Sequence, residues 1–159
     1  MKKAGYFPWM GLIPLVLGAI YIRSVGIPWF GGILFTVLPW ATVAIWVWLG
    51  HCCGRDGHRW LTSVLCGHWG VALVAVCAVW QFGLLSSEAR DLPVALFGQY
   101  LVGLVPLVIP VVVRFIMVEH TIESTPMILY GTLMTAVALI ALFSLGYWFG
   151  RKRKEEKFP

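Results

Sequence analysis

Charge is what this sequence has least of. Asp, Glu, Lys and Arg make up 12% of its 159 residues, about half the share of a soluble domain. The seven acids (Asp56, Glu88, Asp91, Glu119, Glu123, Glu155 and Glu156) all lie outside the long apolar stretches. Without carboxylates at membrane depth, the usual equipment of proton-coupled transport and intramembrane proteolysis is missing. No HExxH helix, phosphate-cradling glycine loop or Ser–His–acid group is present either. The four cysteines form no CxxC pair and match no zinc-site spacing. Linkers and internal repeats are lacking too, so residues 1–159 are read as one integral membrane domain.

Apolar length is what the chain has instead. Five stretches free of charge, 4–22, 24–54, 60–87, 92–113 and 124–150, run to 19, 31, 28, 22 and 27 residues. About 20 apolar residues cross a bilayer as a helix. With 60% hydrophobic residues and a mean hydropathy of +0.85, the prediction is an all-α polytopic membrane protein. Its helices are expected at about 6–22, 28–49, 60–83, 93–117 and 126–149, as a compact bundle of four to five transmembrane helices with a basic tail at 150–159. Pro28, Pro93 and Pro126 stand at helix starts, where a missing N–H costs nothing. Tyr6, Trp9, Trp29, Trp46, Trp48, Trp60, Trp80, Tyr147 and Trp148 cluster near the boundaries, as interfacial aromatics do. The stretch after Lys2 and Lys3 resembles a signal peptide, but Tyr21–Gly26 offers no small-x-small cleavage site. It is read as retained.

Orientation follows from the basic residues. Arg151, Lys152, Arg153, Lys154 and Lys157 follow the last apolar stretch. Such clusters resist translocation, so the C-terminus is expected on the cytoplasmic side of an inner membrane, in contact with anionic headgroups. No other basic surface exists, and nucleic-acid binding is not expected. With five crossings, seven basic residues lie inside and five outside; if the first segment enters without crossing, the split is nine to three. Charge favours the second arrangement, and Pro14 weakens the first segment. Its 19 residues still reach about 28 Å, and five spans are preferred. In either case the 51–59 and 119–125 connections share a face, opposite the basic tail.

The 51–58 loop holds the densest group of potential ligands: His51, Cys52, Cys53 and His58, with Arg55 and Asp56 between them. Thiolates and imidazoles suit soft or borderline ions such as Zn²⁺ or Cu⁺. On a shared face they would meet Glu119, His120 and Glu123. The adjacent thiols resemble those of small mercury-uptake membrane proteins, a likeness confined to Cys52 and Cys53 that assigns no family. The fourth helix would carry Gln99, Gly103, Pro106, Pro110 and Arg114 within an arc of about 80°. That is the pattern of a polar path, with Arg114 paired to Asp56, Glu119 or Glu123. Small-residue faces are expected on the third helix (Ser63, Cys66, Gly67, Gly70, Cys77) and the fifth (Gly131, Thr135, Ala138, Gly146), where backbones approach closely. His68, at membrane depth, reads as a neutral imidazole bonded to another helix.

These features predict a small multi-pass inner-membrane protein without enzymatic activity, an accessory or interaction subunit. Its small-residue faces would dock another membrane protein or a second copy. The alternative is a small carrier or thiol- and metal-handling protein using the 51–58 loop, with Gln99 and Arg114 lining a path.

Overall fold

An apolar stretch in a medium without hydrogen-bonding solvent must pair its backbone within itself, and helix does this. The computed structural model describes residues 8–24, 27, 30–116 and 124–155, all-helical and without strands among them. A 3₁₀ turn at Pro8–Leu12 leads into α1 (Ile13–Ser24); then follow α2 (Phe30–Asp56), α3 (Trp60–Ala78), α4 (Leu92–Gly98), α5 (Val108–Ile116) and α6 (Ser124–Glu155). Helix α3 runs on through a π-helical stretch at Val79–Leu84. Three helical segments, Gly31–Asp56, Trp60–Leu84 and Thr125–Arg153, are long and apolar enough to cross a membrane. Large apolar side chains cover the outside, among them Ile33, Trp40, Leu65, Val76 and Val137. A soluble monomer does not expose so much.

Helices α2 and α6 are parallel and meet backbone to backbone. A methyl at Gly50 would land on the Phe143 carbonyl, and one at Gly54 on that of Tyr147. From the other side, Gly146 faces the Val47 carbonyl and Gly150 that of His51. Each helix thus offers two glycines four residues apart, the spacing that lets membrane helices approach most closely. Helix α3 lies antiparallel to both. Trp60 Nε1 donates to Ser144 Oγ (3.1 Å) near the α2–α3 turn, while Phe82 packs with Ile128 and Leu129 towards the other end. The N-terminal segment runs antiparallel to α2: Gly11 lies on Trp69 and Gly70 of α3, and the Ser24 carbonyl meets Gly31. The expected small-residue faces are therefore filled within the chain. That of α3 receives Met10 and Gly11, and that of α6 receives α2 and the Val102 side chain.

Three expectations are corrected. The 51–59 connection is not a loop: α2 continues to Asp56, and the turn is confined to residues 57–59, with Gly57 at φ 78°. The 93–117 segment is not one crossing helix. It enters as α4 beside Gln81, places Gly98 against Ala78, and leaves the helical path at Gln99. It then passes Gly18 and Tyr21 and turns at Pro106 and Leu107 beside Trp40 and Leu142. It returns as α5, whose Pro110 lies near Phe35 and Thr36. Gly103 (φ 82°) and Leu107 (φ 73°) adopt left-handed backbone, and Pro106 has no donor to continue a helix. Consequently Thr125, at the start of α6, sits with Arg90 (3.2 Å), at the opposite end from residues 57–59. The 51–59 connection shares its end with the basic residues after Gly150, since Tyr147 Oη donates to the His58 carbonyl (2.6 Å). Both placements reverse the expected arrangement of faces.

Candidate functional site

The hairpin α4–α5 brings irregular backbone to the middle of the bundle. Val102, Leu104 and Val108 N–H groups bond the carbonyls of Gln99, Leu101 and Val105. Among the described residues, the N–H groups of Gly103, Val105 and Leu107 have no backbone partner. Non-helical backbone at membrane depth persists only where protein buries it or where it lines a cavity. Both conditions are met here. Leu101 and Leu104 are fully buried, while Gly103, Val105, Pro106 and Leu107 line a pocket of about 190 Å³ with Tyr21 and Phe35. Pro39, inside α2, faces the same pocket, and a helical proline leaves the carbonyl four residues earlier, here Phe35, without its donor. Leu107 is a non-glycine residue at positive φ, 68% exposed at the tip. Such strain is concentrated at binding and switch sites.

Of the proposed polar path, Gly103, Pro106 and Pro110 reach this pocket, while Gln99 and Arg114 do not line it. Gln99 Nε2 donates to the Ala95 carbonyl of its own helix (3.3 Å). Arg114 is exposed in the last turn of α5. Asp56, its suggested partner, bonds Arg55 (3.4 Å) at the other end of the molecule. Glu119, His120 and Glu123 lie outside the described residues.

The residues proposed as metal ligands are distributed by the extended α2. Cys53 is fully buried and faces the Ser63 hydroxyl. Cys52, one residue or about 100° away around the helix, lines a groove with Trp9, Trp48 and Leu49 and with Arg55 and Asp56. The His51 carbonyl lies under Gly150, and His58 stands in the turn. Among the described residues no three His, Cys, Asp or Glu side chains come close enough to hold a metal ion.

His68 ties three helices together. Trp46 Nε1 donates to its Nε2 (3.0 Å). An indole can only donate, so Nε2 accepts, and the proton sits on Nδ1, which donates to the Val64 carbonyl (2.9 Å). Phe143 of α6 packs edge-on against the ring, with centroids 5.2 Å apart. Both ring nitrogens are engaged, as expected of a neutral structural histidine.

Sequence reasoning missed a second polar node. The π-helical stretch frees the Gln81 carbonyl, which accepts from Arg90 Nε (2.9 Å), and the Arg90 guanidinium also lies over the Phe82 ring. The Gln81 Oε1 accepts from the Asp91 N–H (3.0 Å), and Asp91 caps α4 through the Val94 N–H (3.1 Å). This node anchors the hairpin where it enters. A lone Gln inside a charge-free stretch was the available signal.

No protein-family model, curated protein or solved structure matches this chain.

Proposed function

We propose that the chain is a small non-enzymatic binding protein of the cytoplasmic membrane, of accessory type, whose working element is the re-entrant hairpin α4–α5. The observation that supports this reading is the strained, incompletely paired backbone at 99–107 beside a pocket. A helix kept only for packing has no need of it. Discontinuous membrane helices characteristically place free backbone groups at binding sites. Because the small-residue faces are filled within the chain, a protein partner or second copy would dock on the apolar outer surface. The rival reading, thiol or metal handling at His51, Cys52, Cys53 and His58, finds less support in a helix that turns the two thiols apart.

The hairpin also bears on orientation. If it returns to its own side, α1, α2, α3 and α6 are the crossings. Arg23, Arg90 and Arg114 then lie at one end, and the other nine basic residues at or beyond the other. The positive-inside rule assigns that richer end to the cytoplasm. Binding is tested by organic extraction and mass spectrometry of the protein in nanodiscs, beside empty discs. A small molecule retained at near-stoichiometric amount supports the reading, and an extract identical to that of empty discs overturns it.

A further inference from the structure

We infer that the pocket beneath the hairpin tip binds a flat, uncharged, single-ring molecule bearing a carbonyl acceptor, of the quinone head-group type. The inference rests on the binding reading above and names its ligand class. Three observations carry it. The first is Tyr21, only 6% exposed and lining the pocket, whose hydroxyl makes no hydrogen bond among the described residues and, unlike the fully enclosed Gln81 Nε2 and Thr135 Oγ1, keeps some surface free to meet a ligand. A buried phenol ordinarily finds an acceptor, and Tyr21 packs its ring on Phe35 (centroids 4.3 Å apart) with its hydroxyl beside Gly103. The second is donor polarity. The nine-residue helix α5 begins at the tip, so its positive N-terminal end and the unpaired Leu107 N–H favour an acceptor over a cation. The third is size and lining. About 190 Å³ exceeds the roughly 150 Å³ that encloses benzene, and the pocket is open beside the exposed Thr36, Trp40 and Leu107, so a substituted single ring need not be fully enclosed. Phe35, Trp40 and Pro39 offer flat apolar walls. Among the described residues no charged side chain lines the pocket, which argues against an ionic ligand.

Duroquinone and durene, the same methylated ring with and without carbonyls, separate the hydrogen bond from the shape. Binding is read in nanodiscs by quenching of tryptophan emission for duroquinone, and for both compounds by equilibrium partitioning against empty discs. Wild type should bind duroquinone about tenfold more tightly than durene, the worth of one to two hydrogen bonds. Tyr21→Phe should remove about tenfold from duroquinone and leave durene unchanged. That hydroxyl bonds nothing among the described residues, so Tyr21→Phe keeps the fold, to be checked by its unfolding midpoint. Thr36→Phe, which fills the pocket from its exposed side, should abolish binding of both. Equal affinity for the two compounds, indifference of duroquinone to Tyr21→Phe, or no binding of either would overturn the inference. If duroquinone fails while the nanodisc extract holds another compound, this ligand class falls and the binding reading stands.

Discussion

Alanine at Gly146 and alanine at Gly67 should move stability in opposite directions, although both are buried helical glycines. Replacing glycine by alanine in a helix gains up to about 1 kcal/mol from backbone entropy. At Gly67 nothing opposes that gain: the nearest atoms to an added methyl are Met10 Cε and Phe143 Cε2, at 3.7 and 3.8 Å, ordinary contact distances. At Gly146 the methyl would land on the Val47 carbonyl, which is backbone held by its own helix and has no rotamer to change. The helices must separate, and overpacking of this kind costs about 1–3 kcal/mol. The loss spreads along the seam, because Gly50, Gly54 and Gly150 share the same close approach. Gly67→Ala should then be neutral to about 1 kcal/mol more stable, and Gly146→Ala up to about 2 kcal/mol less stable, after both terms. Unfolding by SDS in mixed micelles, followed by circular dichroism, measures the difference. Combining Gly146→Ala with Gly50→Ala should cost less than the two separately, since the first methyl has already opened the seam. Shifts of the same sign and size at Gly67 and Gly146 would refute the α2–α6 contact as described.

Trp46→Phe keeps one aromatic ring but orphans the His68 Nε2 acceptor and leaves a gap in a fully buried site, so it should cost at least about 1–3 kcal/mol in the same titration; a neutral result would remove the hydrogen bond from the core. Leu107→Gly relieves a left-handed residue that costs about 1–2 kcal/mol, so the glycine variant should be the more stable, whereas destabilisation would show that the Leu107 side chain matters more than its backbone. Arg90→Met removes the donors to Gln81 and Thr125, and residues 85–91 should then exchange amide hydrogens and be cleaved by protease faster, with protection of α2 unchanged. In a chain whose four cysteines are replaced, Ser87→Cys should react with an impermeant maleimide from outside intact bacterial cells and Arg153→Cys should not; the reverse pattern would overturn the assigned orientation.

Composition was enough to read the helical class, and the charge-free stretches located the three long helices to within several residues. Their ends were misjudged where polar residues stayed helical. His51 to Asp56 look like a loop because they are polar, yet Gly54 must remain helical to meet the Tyr147 carbonyl. The glycines at 50 and 54 and at 146 and 150 are spaced i, i+4, but the expected helices stop at 49 and 149, so neither pair falls within one; and a wheel drawn on one helix does not say which partner it meets. Trp46 and His68 illustrate the same limit: their bond joins residues 22 apart, and only the antiparallel packing of α2 and α3 brings them together.

The hairpin shows why length is a weak guide to crossing. The stretch 92–113 has 22 uncharged residues, enough for a span by count. Its interruptions are what decide: Gly98, Gly103, Pro106 and Pro110 fall within thirteen positions. Hydrophobic segments interrupted by glycine and proline mark discontinuous membrane helices. Charge counting bears on the same question by another route. A nine-to-three split follows from keeping the first segment from crossing, and it follows equally from the proposed topology, in which α1 crosses and the fourth segment turns back. The two arrangements are equal in charge and differ in where the basic tail stands relative to Arg55 and Arg59. The Tyr147–His58 bond (2.6 Å) puts them at one end, as the proposed topology with a crossing first segment and a broken fourth helix requires.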